Sequence, residues 1–169
     1  MKKIFISLVS LLVFTSCVLH VYRFTSVNYN NSRISISAGL VNSEDEKSPV
    51  EYIGVSDVRS NVNTPHKVKI LSSTIKIIDS NNKEYIAKTN SNSGYIHIYK
   101  QGVIITDDFK AYIGKVQLDD WRIIDIPPLS FKKTVYVERY SVILDTINAG
   151  GRGKKIFNGT VEDYKKQKK

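Results

Sequence analysis

The stretch Arg33-Ile34-Ser35-Ile36-Ser37-Ala38 alternates polar and apolar residues over its whole length. Successive side chains of a β-strand point to opposite faces of the sheet, so this alternation predicts a strand with one buried and one solvated face. Its β-branched isoleucines fit a pleated surface. Gly39 comes next and predicts either the end of the strand or a β-bulge. The segment therefore indicates a sheet that is covered on one side.

Further strand patterns follow along the chain, separated by polar turns rich in Asn, Ser, Gly and Pro. The predicted strands are 50–58, 67–79 with a bulge or break near Ser72-Ser73, 84–88, 95–100, 103–106, 109–118, 122–126, 134–146 and 154–161. Short strands at regular spacing, without helical periodicity, are typical of antiparallel all-β proteins. The sequence therefore predicts a single antiparallel β-sandwich, Ig-like or similar, over residues 33–161.

Residues 162–169 form a basic C-terminal tail that carries a helix signal. Thr160 has the side chain of a helix N-cap, and Glu162 and Asp163 follow in the first turn. Lysines in the later turns suit the negative end of the helix dipole. We expect a short C-terminal helix that depends on docking for its stability. The lysines are either solvated or a contact for anionic lipids, lipopolysaccharide phosphates or an acidic protein.

The N-terminal segment has three zones. Two lysines come first, residues 4–14 are almost wholly apolar, and the next residues are small. This order is typical of a secretion signal, and the apolar stretch alone is too short to cross a bilayer. Its end, Phe14-Thr15-Ser16-Cys17, resembles the lipobox of bacterial lipoproteins. The resemblance implies that Cys17 receives a diacylglycerol, that signal peptide 1–16 is removed and that the new amino group is acylated.

Under this resemblance residues 17–32 are a lipidated tether, whose asparagines favour an irregular backbone. The membrane is then a partner through the lipid on Cys17, and three acyl chains give a stable anchor. The residue after the cysteine is Val18. In enterobacterial lipoproteins an Asp at this position retains the protein in the inner membrane. Its absence, under the resemblance, implies transfer to the outer membrane, facing the periplasm. Three alternatives stay open. One is an uncleaved spanning helix over Ile4 to Tyr22, which has sufficient length. The others are a plain cleaved signal and a buried helix.

Size, charge and cysteine content bound the class of protein. Removing residues 1–16 leaves 153 residues, which suits one domain with its own core. That part contains no cysteine besides Cys17, so no internal disulfide is expected. It keeps 23 Lys and Arg against 16 Asp and Glu, a net charge of +7. In an exported protein this charge favours contacts with anionic surfaces and argues against nucleic acid as a partner.

Patterns for catalysis or metal binding are weak in this sequence. His20, His66 and His97 are far apart and form no metal-binding motif, and no Gly-x-Ser-x-Gly elbow is present. The pairs Asp107-Asp108 and Asp119-Asp120 fall at expected turns, where carboxylates cap backbone N–H groups. Acid–base chemistry is the alternative role for these pairs. The sequence therefore predicts no catalytic residue, no metal and no cofactor.

A glycine-rich segment with Arg152, Lys154 and Lys155 is a candidate anion contact. It lacks the spacing of a phosphate-binding loop, because Lys155 stands where a hydroxyl residue belongs and no helical pattern follows. We interpret it first as the flexible tip of a hairpin. The alternative is a basic loop whose backbone N–H groups and side chains meet an anion.

Tyrosines mark a candidate binding face. Tyr95, His97 and Tyr99 alternate with isoleucines and are expected on the same side of a predicted strand. Tyr136 and Tyr140 form a similar stripe on the longest predicted strand. Tyrosine supplies contact area and a hydrogen-bonding tip, and it is common at recognition surfaces. It is also ordinary on the solvated face of a sheet, which is the plainer interpretation.

These features predict a non-enzymatic binding protein of the bacterial envelope. Its expected partner is another envelope protein, and the sequence leaves the oligomeric state open. One alternative is an immunity or inhibitor lipoprotein that blocks a toxin or a hydrolase. Another is an envelope enzyme with an unrecognised site, in which His97 or a carboxylate pair has a shifted pKa.

Overall fold

The computed structural model describes residues 16–27, 29–60, 66–90, 93–141 and 153–168. These residues belong to two compact units. The larger unit is Arg23–Lys133, and the smaller unit combines the chain up to Tyr22 with the chain from Thr134 onward.

The described residues contain strands β1–β12, one turn of 3₁₀ helix and one α-helix. The strands are β1 (Ser16–Ser26), β2 (Ile34–Leu40), β3 (Val50–Asp57), β4 (Val68–Ile70), β5 (Thr74–Asp79), β6 (Glu84–Lys88), β7 (Tyr95–His97), β8 (Phe109–Tyr112), β9 (Gly114–Leu118), β10 (Ile123–Ile126), β11 (Leu129–Ser141) and β12 (Lys154–Thr160). The 3₁₀ turn is Tyr99–Gln101, and helix α1 is Val161–Gln167. The predicted all-β class and the short C-terminal helix are therefore confirmed.

The larger unit contains two antiparallel sheets. In the first, β3 lies between β2 and β7, and β5 lies between β6 and β8. The end of β1 pairs with β2, where Phe24 is opposite Ala38, and the start of β11 pairs with β8, where Phe131 is opposite Phe109. In the second sheet, β9 lies between β10 and β4. The predicted antiparallel pairing is therefore confirmed.

The two end strands of the first sheet, β6 and β7, are bridged by the side chain of Gln101. Its Oε1 accepts a hydrogen bond from the N–H of Lys88 at 2.7 Å. Its Nε2 donates to the carbonyl oxygens of Lys88 at 3.0 Å and His97 at 3.1 Å. One amide thus satisfies backbone groups that would otherwise remain unpaired at the sheet ends. Such a bridge between the end strands of one sheet is not expected in a sandwich of two open sheets. The more specific prediction of a β-sandwich is therefore not confirmed.

The opening stretch of the sequence forms β2, and its burial follows the predicted alternation. Ile34 and Ala38 are buried, Ile36 packs against the core, and the serines between them are exposed. The register between β2 and β3 shifts between Gly39 and Leu40, so the predicted irregularity at Gly39 is a β-bulge. Inward-facing residues from both sheets form one apolar core, including Ile53, Val55, Val68, Ile75, Ile77, Ile96, Val116, Leu129 and Phe131.

Residues 18–26, predicted as part of an irregular tether, instead belong to strand β1. This segment is rich in Val, Tyr and Phe, which suit a pleated surface, and Tyr22 and Phe24 are buried. The alternative spanning helix over Ile4 to Tyr22 is wrong for residues 16–22, which are extended, and its other residues lie outside the described ones. Among the residues that the structure describes, no helix has the length and hydrophobicity needed to cross a bilayer.

Three further strand predictions are wrong. The single strand predicted over 109–118 is two strands, β8 and β9, which belong to different sheets. Residues 103–106 form a loop and not a strand, although their alternation is real because Val103 and Ile105 are buried. The carbonyl oxygen of Ile105 accepts a hydrogen bond from the N–H of Val50 at 2.8 Å, outside any regular ladder. The strand predicted over 95–100 is shorter, because β7 ends after three residues and the 3₁₀ turn follows.

In the smaller unit, the part of β11 from Thr134 onward pairs with β12, and α1 follows directly. The predicted hairpin pairing is confirmed, and the hairpin tip lies outside the described residues. Thr160 caps α1, because its Oγ1 accepts a hydrogen bond from the N–H of Asp163 at 3.1 Å. Val161 in the first turn is buried. The predicted N-cap is therefore confirmed.

Candidate functional site

Two of the predicted binding residues, Tyr95 and His97, lie on the exposed face of β7, and the isoleucine between them is buried. Tyr52 of β3 is opposite His97 in the ladder. The Tyr52 ring centroid is 5.4 Å from that of Tyr95 and 6.2 Å from that of His97, both in edge-to-face arrangements. Such packing stabilises an aromatic pair by about 0.5–1.5 kcal/mol. We name Tyr52, Tyr95 and His97 the aromatic surface.

Two glycines let these rings lie against the backbone of the neighbouring strand. Gly39 is paired with Tyr52, and Gly54 is paired with Tyr95. A Cβ atom on Gly39 would lie 2.4 Å from the Tyr52 ring, and one on Gly54 would lie 2.9 Å from the Tyr95 ring. Aromatic rings that cover glycines are a recurrent way to fix strand register. The aromatic surface is therefore formed by the sheet itself.

Tyr99 does not continue this face. The strand ends at His97, and Tyr99 begins the 3₁₀ turn. The prediction that Tyr99 shares a strand face with Tyr95 is therefore wrong. Tyr52 was missed by the alternation argument. Its signal in the sequence is Gly39 at the end of the neighbouring strand pattern, because such a glycine marks close approach of another group.

Tyr136 and Tyr140 form a stripe on β11 in the smaller unit, and both are half-buried. Their hydroxyl groups donate to the two carboxylate oxygens of Glu138, which lies between them in the sequence. These hydrogen bonds hold the pKa of Glu138 below its usual value. A Cβ on Gly153 would lie 2.8 Å from the Tyr140 ring. This stripe has both hydroxyl donors already engaged, so it offers a partner fewer donors.

Lys154 and Lys155, two of the three candidate anion contacts, are exposed at the start of β12. They are paired with Arg139 and Glu138 of β11. Arg152, the third candidate, lies outside the described residues. The two lysines supply positive charge at the surface beside Arg139, with Glu138 as the neighbouring anion.

The larger unit contains an ion-pair network centred on Asp57, which no local sequence pattern predicts. Asp57 is only 2% exposed. Its Oδ1 accepts from the Arg59 backbone N–H at 2.9 Å and from Arg59 Nε at 3.1 Å, and its Oδ2 accepts from Arg59 Nη2 at 2.8 Å. Arg33 Nε lies 3.4 Å from Oδ2. The hydrogen bonds from the Arg59 side chain are the main cause that lowers the pKa of Asp57 to about 2, against the opposing effect of burial.

The network extends to the turn between β9 and β10. Oδ2 of Asp120 accepts from Arg33 Nη2 at 2.6 Å and from Arg122 Nη2 at 2.7 Å. The hydrogen bonds from Arg122 hold the pKa of Asp120 below its usual value. Oδ2 of Asp119 is 2.5 Å from Nδ1 of His66. The Asp119-Asp120 pair thus lies at a turn, as predicted, and its carboxylates also tie that turn to neighbouring segments.

Asp57, His66 and Asp119 offer potential metal-ligand atoms within 4.8 Å of one another. Arg59, however, already pairs with the carboxylates of both aspartates. The network contains three arginines and three aspartates, so a bound cation would add positive charge without a matching anion. These residues fit an ion-pair network better than a metal site.

The same turn displays Trp121, the single tryptophan of the chain. Its side chain is 81% exposed, and its φ of 65° lies in the left-handed region. A bulky residue with positive φ is uncommon and strained, and such strain is often kept at functional positions. Trp121, Lys67, Lys69 and Gln117 line a shallow groove of about 170 Å³. We name residues 119–122 the Trp121 turn.

Comparison of the chain with known protein families, with curated proteins and with solved structures finds no match. Within the described residues, the aromatic surface and the Trp121 turn combine exposed aromatic rings with nearby polar groups. This combination suits recognition of a partner surface.

Proposed function

We propose that this chain is a lipid-anchored protein of the bacterial envelope that binds another envelope protein and catalyses no reaction. The lipid on Cys17 holds the protein at the outer membrane, and the antiparallel sheets present the binding residues. The exposed thiol of Cys17 supports the first part of the proposal. The observation that carries the second part is Trp121, a large apolar side chain that is exposed on a turn held by ion pairs.

Contact with a partner would remove most of the Trp121 side chain from water. A tryptophan buries about 150–250 Å², and apolar area contributes about 25 cal/mol per Å², so the gross gain is several kcal/mol. Asp119 and Asp120 tie the turn to arginines and to His66, so little conformational freedom remains to be lost on binding. An exposed tryptophan with polar neighbours is typical of a binding hot spot.

Trp121→Ala is expected to weaken binding of the partner by about thirty-fold or more, because hot-spot residues contribute about 2 kcal/mol or more. The partner is first identified by cross-linking in intact cells, and the Kd is then measured with purified proteins. Ile86→Ala is the matched control, because Ile86 is an exposed apolar residue on β6. Equal Kd values for wild type and a correctly folded Trp121→Ala variant would refute the role of Trp121.

The lipid anchor has its own test, an intact mass of the protein extracted from membranes. We expect the mass of residues 17–169 plus a diacylglycerol and an acyl chain, because the lipobox resemblance implies cleavage before Cys17 and two acylation steps. Cys17→Ser should lack this species, since serine has no thiol to modify. A full-length mass from Met1 in both proteins would contradict lipidation and indicate an uncleaved anchor.

A second candidate function is inhibition of a toxin or hydrolase in the periplasm. The observation that favours it is again the Trp121 turn, because a pre-organised turn with an exposed ring suits insertion into the concave site of an enzyme. This function requires a tight one-to-one complex and sensitivity to the toxin when the gene is deleted. Binding of an envelope protein without inhibition requires neither.

A further inference from the structure

In the smaller unit, helix α1 is tied to the strand that contains Cys17. The hydroxyl group of Tyr164 in α1 is 2.8 Å from Nε2 of His20 in β1, and their rings meet edge to face at 5.7 Å. Phe157 of β12 packs on the same tyrosine ring at 5.1 Å. His20 is three residues from Cys17, and a strand rises about 3.3 Å per residue, so roughly 10 Å separate their backbones.

The charges of α1 are separated along its length. Glu162 and Asp163 lie in its first turn, and the last turn and its cap carry Lys165, Lys166 and Lys168. Lys168 Nζ lies 4.6 Å above the centre of the Tyr164 ring, the same ring that contacts His20. The lysine-bearing C-terminal end of the helix is therefore linked to β1 through the ring of Tyr164.

Charge in the rest of this unit has the same sign. Outside α1 and its cap, the described residues of the unit include three basic side chains, Arg139, Lys154 and Lys155, against one acid, Glu138. Lys166 pairs with Glu162 at 2.8 Å, but both side chains are largely exposed. An exposed pair of this kind contributes little to stability, so Lys166 can exchange its partner at little cost.

We propose that the last turn of α1 is a binding site for anionic lipid headgroups, formed by Lys165, Lys166 and Lys168. The inference rests on the proposed lipidation of Cys17, because acyl chains at that residue place this part of β1 at the membrane surface. The contact between His20 and Tyr164 then places the lysines within reach of the headgroups. A lipid chain combined with a basic cluster is a recurrent form of stable membrane attachment.

A fluorophore on the helix tests this site. Gln167→Cys adds an exposed thiol in α1, and in the lipidated protein Cys17 is already consumed, so a single environment-sensitive dye attaches. The labelled protein is reconstituted in phosphatidylcholine vesicles with and without phosphatidylglycerol. We expect a blue shift of the dye only with the anionic lipid, and its loss in about 1 M salt, where the Debye length is about 3 Å.

Charge variants make the test specific. Each lysine near an anionic surface is worth about five-fold in the docking equilibrium, so replacing Lys165, Lys166 and Lys168 by Gln should lower the ratio of docked to undocked helix on the order of a hundred-fold. The matched control replaces three exposed lysines of the larger unit by Gln, namely Lys47, Lys88 and Lys100. It changes the net charge equally and should keep the blue shift.

The outcomes separate this inference from the lipid anchor. One dye per chain with no shift in anionic vesicles, or an equal loss in the control variant, overturns the headgroup site and leaves the anchor intact. Two dyes per chain show a free thiol at Cys17. That result overturns the lipidation and, with it, the placement of α1 at the membrane.

Discussion

Asp57→Asn is expected to lower the free energy of unfolding by about 2–3 kcal/mol, because a buried charged acceptor of several hydrogen bonds is lost. The substitution keeps the size of the side chain and removes its charge. Arg59 donates three hydrogen bonds to this carboxylate, and Arg33 lies 3.4 Å from it. Both guanidinium groups would lose their buried counter-ion. Denaturant unfolding followed by circular dichroism measures the loss.

Asp125→Asn is the matched control for this variant. Asp125 is an exposed aspartate on β10 of the same unit, and its replacement should change the free energy of unfolding by no more than about 0.5 kcal/mol. If Asp57→Asn unfolds at the same denaturant concentration as Asp125→Asn, the network does not stabilise the larger unit. The fluorescence emission of Trp121 adds a local readout, because the ion-pair network holds the turn that carries this residue.

The same carboxylate gives a pH dependence with a defined sign. Folding lowers the pKa of Asp57 from 3.8 to about 2, so between these values the unfolded chain binds more protons than the folded chain. The stabilisation is therefore complete above about pH 4 and is lost as the pH falls through 2. At about 1.36 kcal/mol per pKa unit it amounts to roughly 2 kcal/mol. Between pH 5 and pH 2, the free energy of unfolding of the wild type should therefore fall by about 2 kcal/mol more than that of Asp57→Asn.

Local patterns were sufficient where one segment decides its own structure. The alternation of Ile34, Ile36 and Ala38 gave a strand with the correct buried face, and Thr160 gave the correct helix cap. The loop 103–106 shows the limit of the same argument. Its alternate residues are buried, so the sequence carries the burial pattern of a strand, but its backbone makes isolated hydrogen bonds, such as that from Val50, and no regular ladder. Alternation reports which side chains are buried and does not report pairing.

The candidate sites depend on contacts between distant segments, which no local pattern reveals. Asp57 and Asp119 are 62 residues apart in the sequence and share Arg59. Tyr52 meets His97 only because β3 and β7 pair in one register. The sequence could have indicated that Trp121 is a candidate binding residue. This single tryptophan follows Asp119-Asp120 in an expected turn, where a large apolar side chain is exposed to solvent.

Gly94→Ala is expected to cost about 3 kcal/mol in the free energy of unfolding, at the upper end of the usual range for an over-packed position. A Cβ atom on Gly94 would lie 2.1 Å from the carbonyl oxygen of Val55. The obstacle is backbone, so no change of side-chain rotamer can relieve the contact. The Gly94 carbonyl also accepts a hydrogen bond from the N–H of Val55 at 2.8 Å, and separation of the two segments would break it.

Gly102→Ala separates this steric cause from backbone strain. Gly102 has a φ of 78° and no neighbouring group within 4 Å of an added Cβ, so alanine there should cost only about 1–2 kcal/mol. Gly94 is not among the glycines with positive φ, so its larger loss must come from the contact with Val55. Similar losses for both variants would contradict that contact. Because Gly94 precedes Tyr95 and β7, its displacement should also disturb the edge-to-face packing of Tyr95 on Tyr52, which aromatic proton chemical shifts can detect.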